Sequence, residues 1–189
     1  MIVSATIVST AGLIFRSLES IDAFGVVFFR GLALSFVMLI VLNAFYRQRV
    51  FLTIWSVGRQ GVLGALFFTG AQTFYVFAFS NTTVANTTFT IALAPFITAL
   101  LAFIVIRERI ERTTLLAMAI ACLGVVAIID TDVSSEGLLG VFFALMTAFC
   151  FSCFAVTLRR NKHVEMLPVL LLTGIFSMIV GLIFGQWDV

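Results

Sequence analysis

Charge is scarce in this chain: only 11% of its residues are Asp, Glu, Lys or Arg, against about 25% in an average soluble domain. A soluble fold of this length needs a polar coat, and the residues for one are missing. No Asp or Glu lies deep in any of the long apolar runs, so the membrane-embedded acid that usually couples proton movement is not in this stretch. Lysine is confined to Lys162, in a loop, which removes the Schiff-base partner that a seven-helix retinal protein requires. His163 is the only histidine and sits in the same basic loop, and HExxH, GxSxG and P-loop patterns are all lacking. No catalytic residue, cofactor site or metal site is therefore assigned, and the chain is not read as an enzyme. A basic stretch with interleaved aromatics is missing too, which argues against nucleic acid as a partner. The opening MIVSATIVSTAGLIF has no basic n-region, so it reads as a retained membrane segment rather than a signal peptide.

What is present is apolar: 62% of the residues are hydrophobic and the mean hydropathy is +1.20. Apolar runs fall at about 2–15, 23–46, 61–80, 83–106, 113–129, 137–158 and 166–185, and a spanning helix needs about 20 residues. Five runs meet that length, the fifth in order sits at its lower limit and the first is short. The runs are continuous, without the alternation of a barrel strand, so the fold class is an all-α polytopic membrane protein with about seven transmembrane helices. The lipid bilayer is its first partner.

Loop charges set the expected orientation. Arg47, Arg49 and Arg59 follow the second run, Arg107, Arg109 and Arg112 the fourth, and Arg159, Arg160 and Lys162 the sixth, while the opposite side carries only Arg16. The positive-inside rule then places the N-terminus in the cytoplasm. The one clearly polar connector on the outer side, DTDVSSEG from Asp130 to Gly137, divides the chain into residues 1–134, with five runs, and 135–189, the start of a second set. An odd number of helices per unit inverts the second unit, which is the pattern of an inverted repeat that the chain enters but leaves partway.

Several polar residues lie deep in the runs. Thr69, Gln72 and Thr73 share a face of the third run near mid-span. They serve either as interhelical hydrogen-bond donors and acceptors or as cavity lining. Thr83, Asn86, Thr87 and Thr90 form a stripe over the outer half of the fourth run, with Pro95 near its middle. The stripe reads as a wet vestibule above a proline break or as helix packing with hydroxyls bonded to their own helix. Arg30, inside the second run, needs a partner, and the candidates are Asp22, Glu19, carbonyls freed by Pro95 or an anionic group of a solute. Cys122, Cys150 and Cys153 all lie within apolar runs; the CxxC pair has no nearby histidine or carboxylate, so packing is preferred to redox or metal chemistry. Small pairs such as Gly61/Gly64, Ala117/Ala121, Gly137/Gly140 and Ala144/Ala148 mark close helix contacts, within the monomer or across a homodimer.

The segments GLIFRSLESIDAFGVVFFRGLALS, Gly61–Ile110 with its ANTTFTIALAPFITALLAFIVIRERI end, and GLLGVFFALMTAFCFS resemble the EamA family of the drug/metabolite transporter superfamily. The resemblance rests on the proline matched by Pro95, the glutamate beside a basic residue matched by Glu108, and the arginine matched by Arg30. It implies ten helices in two inverted five-helix repeats, of which this chain holds about seven, the second repeat being incomplete. It further implies alternating-access transport, mostly export, of amino acids or other small polar metabolites across the plasma or inner membrane. On that reading Arg30, Thr69, Gln72, Thr73, Asn86, Thr87, Thr90 and Pro95 are the candidates for the substrate pathway. The competing expectation is a non-transporting membrane scaffold or assembly subunit, in which the same residues only join helices.

Overall fold

Hydrocarbon cannot hydrogen-bond a peptide group, so a chain this apolar must satisfy its backbone within each segment, and helices do so. The computed structural model describes residues 22–46, 57–107, 113–114, 116–118, 120, 123–124, 137–161 and 165–185. Six helices are delimited among them: α1 (Ala23–Tyr46), α2 (Gly58–Asn81), α3 (Val84–Ile91), α4 (Ala94–Val105), α5 (Gly137–Arg160) and α6 (Met166–Phe184). Five spans are long and apolar enough to cross a bilayer, with α3 and α4 together forming one of them. At 24 residues each, α1, α2 and α5 extend about 36 Å, more than the roughly 30 Å of a hydrocarbon core. The protein is an all-α polytopic membrane protein. The first apolar run lies outside the described residues, the fifth is described only at scattered positions, and the polar connector at 130–136 also lies outside.

Where a soluble protein buries its largest apolar side chains, this one exposes many of them: Phe36, Phe45, Ile104 and Ile183 are each more than three-fifths exposed, facing the lipid. The interior holds small residues instead. Ala65, Ala71, Ala78, Ala94, Ala102, Ala144 and Ala148 are buried, and so are Thr69, Thr147, Ser152 and Thr173. Association of helices in lipid relies on such close approach and on polar contacts, because the bilayer offers no hydrophobic drive to bring them together.

Helix α1 packs on α6, α6 also touches α2, α2 packs along α5, and α5 carries α3 and α4 on its other flank. Phenylalanines tie one end of the bundle together. Phe24 meets Phe77 edge-on at 5.0 Å and Phe184 at 5.7 Å, and Phe143 lies against both Phe74 and Phe77. At that end the 81–83 turn presses on α5, where Thr82 occupies the space a Cβ at Gly140 would need. The opposite end carries Arg59, Arg107, Arg159 and Arg160. There α4 stops with Arg107 in the left-handed region at φ 59°, the backbone shape that closes many helices but is seldom adopted by a long side chain.

The fourth run is one span but two helices. Expected as one span with a tolerated proline break near its middle, it breaks at Ala92 and Leu93. Pro95 has no N–H for the Ile91 carbonyl and its ring crowds that carbonyl, so the helix restarts with Pro95 in its first turn. The turn is tightened by Leu93 N–H donating to Thr90 O and Phe96 N–H to Leu93 O. Ser152 of α5 holds the restart: its Oγ is 2.9 Å from Ala94 O and receives the Thr98 hydroxyl at 3.0 Å.

The α1–α6 crossing is closer than any small-residue pair in the sequence announces. A Cβ on Gly31 would lie 2.7 Å from Met178 N, and one on Gly174 would lie 2.9 Å from Ser35 N. These contacts are equivalent in register. Asp22 and Glu165 immediately precede the two helices, Gly31 and Gly174 each follow by the same interval, and Ser35 and Met178 each stand four residues further on. The helices run antiparallel, Phe28 meeting Gly181 and Ser35 meeting Gly174, so a local two-fold axis passes between the two glycines.

Candidate functional site

Three of the polar residues in the spans, Arg30, Gln72 and Thr90, lie at one level. Arg30 lies two turns into α1, Gln72 about two and a half turns before the end of α2, and Thr90 near the end of α3. Each is thus about 9–14 Å from the Phe24–Phe184 end.

Arg30 finds a partner that none of the sequence candidates named. Its guanidinium carbon lies 5.1 Å from the centre of the Tyr75 ring on α2, within the range where a cation is held by an aromatic face. Asp22 stands eight residues before it, just ahead of α1, and does not pair with it, and Glu19 lies outside the described residues. A signal was present in retrospect: Tyr75 is i+3 from Gln72 on the helix already marked as polar.

Thr69, Gln72 and Thr73 separate in role. The Thr69 hydroxyl lies 2.8 Å from Ala65 O on its own helix and 3.3 Å from Thr173 O on α6. Thr73 donates to Thr69 O at 3.0 Å. Gln72, at 9% exposure, forms no hydrogen bond with any of the described residues. A glutamine amide brings two donors and two lone pairs, and leaving them unmet at mid-span carries a desolvation cost. Gln72 is the least satisfied polar group of the predicted set.

The stripe on α3 divides as well. Thr87 and Thr90 are fully buried on a helix that packs against α5, and their hydroxyls donate to Thr83 O and Asn86 O. Asn86 stays near the surface, its backbone N–H capped by the Thr83 hydroxyl and its amide 3.5 Å from the Thr82 hydroxyl. Pro95 sets the break just described and is itself exposed. Arg30 and Gln72 therefore belong with Tyr75 on the α1–α2 side, and Asn86 stands apart at the turn. The residue missed altogether is Ser152, fully buried, which reads in the sequence as one more small residue in an apolar run.

Cys150 and Cys153 are free thiols. Cys150 Sγ lies 3.6 Å from where a Cβ on Gly70 would stand, so that thiol fills the small gap between α2 and α5. Among the described residues no group of His, Cys, Asp and Glu is placed to hold a metal ion.

The model of the EamA-like transporter family matches residues 1–130. The match covers well over half of the 189 residues, and the chain belongs to that family. No match to a curated protein or to a solved structure was found.

Proposed function

We propose that this multi-pass membrane protein, a transporter of the drug/metabolite type by family, exports small polar metabolites such as amino acids by alternating access. Its family is one of transporters, not of enzymes. The observation that carries the reading is Gln72: a side chain at 9% exposure near mid-span whose amide bonds no described residue and keeps some accessible surface, level with the Arg30–Tyr75 pair. A group left unmet in the dry part of a membrane protein is costly, and a polar solute passing that level would meet it. Arg30 and Gln72 would contact the solute, Asn86 would stand at its outer mouth, and Thr69, Thr73, Thr87, Thr90 and Pro95 would shape the path between them.

The two-fold relation of α1 and α6 supports division into inverted repeats, residues 1–134 forming the first and 135–189 belonging to the second. The gathering of Arg59, Arg107, Arg159 and Arg160 at one end supports a cytoplasmic placement of that end, with the N-terminus on the same side, in the plasma or inner membrane.

A scaffold role is the second reading, and one observation favours it. The hydroxyls of Thr69, Thr73, Thr87 and Thr90 all bond to carbonyls of their own helices, as helix-packing residues do. Flux separates the two. The full-length gene product in proteoliposomes is screened with labelled amino acids and nucleosides, in both orientations. Transport of one class that falls with Gln72→Ala and Arg30→Ala supports the first reading; absence of flux for every solute supports the scaffold.

A further inference from the structure

At the arginine-bearing end, α2, α4 and α5 enclose a groove of about 310 Å³, inside the size range of small-molecule sites. It shares no residue with the candidate pathway. Its deep wall is apolar, built from Leu63 and Phe67 of α2, Leu101 and Val105 of α4 and Val156 of α5. Its outer end is polar, with Gln60, Arg160 and Asn161. From Gln60 to Phe67 the groove descends about 10 Å along the helix. It also opens sideways, since Leu63 and Val105 are 51% and 44% exposed.

We propose that this groove binds one anionic phospholipid, an acyl chain lying along Leu63, Phe67, Leu101 and Val105 and the phosphate held by Arg160 with Gln60. The polarity changes at the depth where a lipid changes from chain to headgroup, and the lateral opening faces the phase that holds such chains. The charge is complementary: Arg59, Arg107 and Arg159 surround the same end, and Glu165 is the only described carboxylate there. Basic pockets between membrane helices take anionic headgroups, each surface cation contributing about 1 kcal/mol. Free phosphate would gain nothing from the apolar wall. The inference does not depend on transport.

The test uses the full chain in mixed micelles and native mass spectrometry, comparing phosphatidylglycerol with phosphatidylcholine of the same chains. The expected result is preferential retention of phosphatidylglycerol, weakened about five-fold by Arg160→Ala, with phosphatidylcholine binding unchanged. Val156→Trp, which fills the wall, should reduce both. A phosphatidylglycerol with a photoreactive acyl chain, used on the unmodified protein, should label the Leu63–Phe67 and Leu101–Val105 segments. Equal retention of the two lipids, an unchanged preference in Arg160→Ala, labelling confined to other segments, or displacement by glycerol phosphate at equal concentration would each overturn the proposal.

Discussion

Gly31 and Gly174 face each other across the α1–α6 crossing so closely that a Cβ on Gly31 would fall 2.8 Å from the Gly174 carbonyl oxygen, and one on Gly174 3.0 Å from that of Gly31. The obstructing atoms are backbone, which cannot swing aside. Gly31→Ala and Gly174→Ala should each push the helices apart, and overpacking of this kind costs about 1–3 kcal/mol. Thermal unfolding in detergent checks it, with Gly124→Ala as the control, since nothing described lies within 4 Å of a Cβ there. A fall for Gly124→Ala equal to that for Gly31→Ala would remove the crossing from the explanation.

The same crossing predicts the opposite sign for its serine. The Ser177 hydroxyl is buried and has no hydrogen-bond partner among the described residues. An unmet buried polar group costs about 1–3 kcal/mol, so Ser177→Ala should leave stability unchanged or raise it. A loss above about 1 kcal/mol would mean that the hydroxyl is bonded.

The restart of the fourth span after its break rests on Ser152, which contacts Ala94 O, Ala148 O and the Thr98 hydroxyl. Ser152→Ala should destabilise by about 1 kcal/mol, the size of one net hydrogen bond. Combined with Thr98→Val, the loss should be less than additive, because the two hydroxyls share one network. Strict additivity in the double-mutant cycle would show that they act separately.

How much of this was legible beforehand follows from what a bilayer demands. The existence and limits of the five described spans were, and α1 matches its apolar run at both ends, because length and hydropathy decide whether a segment crosses. The face each helix turns inward was not. In water an apolar stripe marks the buried side, but a membrane helix is apolar all round, so rotation is set by small and polar contacts far apart in the chain. Gly31 and Gly174, Arg30 and Tyr75, and Thr98 and Ser152 are all such pairs. Pro95 was legible as a break because its chemistry is local. Thr87 and Thr90 were visible as polar, while their burial depended on packing between elements, α3 meeting a helix more than forty residues away.

The Arg30–Tyr75 contact separates ring from hydroxyl. Tyr75→Phe keeps the aromatic face and should retain the contact, whereas Tyr75→Leu should lose about 0.5–1 kcal/mol of it. If Arg30 also serves transport, Tyr75→Leu should lower flux more than Tyr75→Phe does. Equal effects of the two substitutions would assign the role to the hydroxyl instead of the ring.

Gln72 gives the sharpest separation between a working site and a packing residue. If its amide exists only to join helices, Gln72→Leu removes a hydrogen bond and the protein should become less stable. The structure shows no such bond to a described residue at 9% exposure, so an apolar side chain of similar size should fit the bundle at no cost. The amide keeps some accessible surface, unlike the enclosed Ser35 and Ser177 hydroxyls, so the substitution should leave stability unchanged or raise it by at most about 1 kcal/mol. Under the transport reading the same variant should lose flux, the combination expected where stability has been given up for activity. Unfolding temperature and proteoliposome flux measured on one preparation decide it. A Gln72→Leu protein that is less stable yet transports normally would place Gln72 among the packing residues.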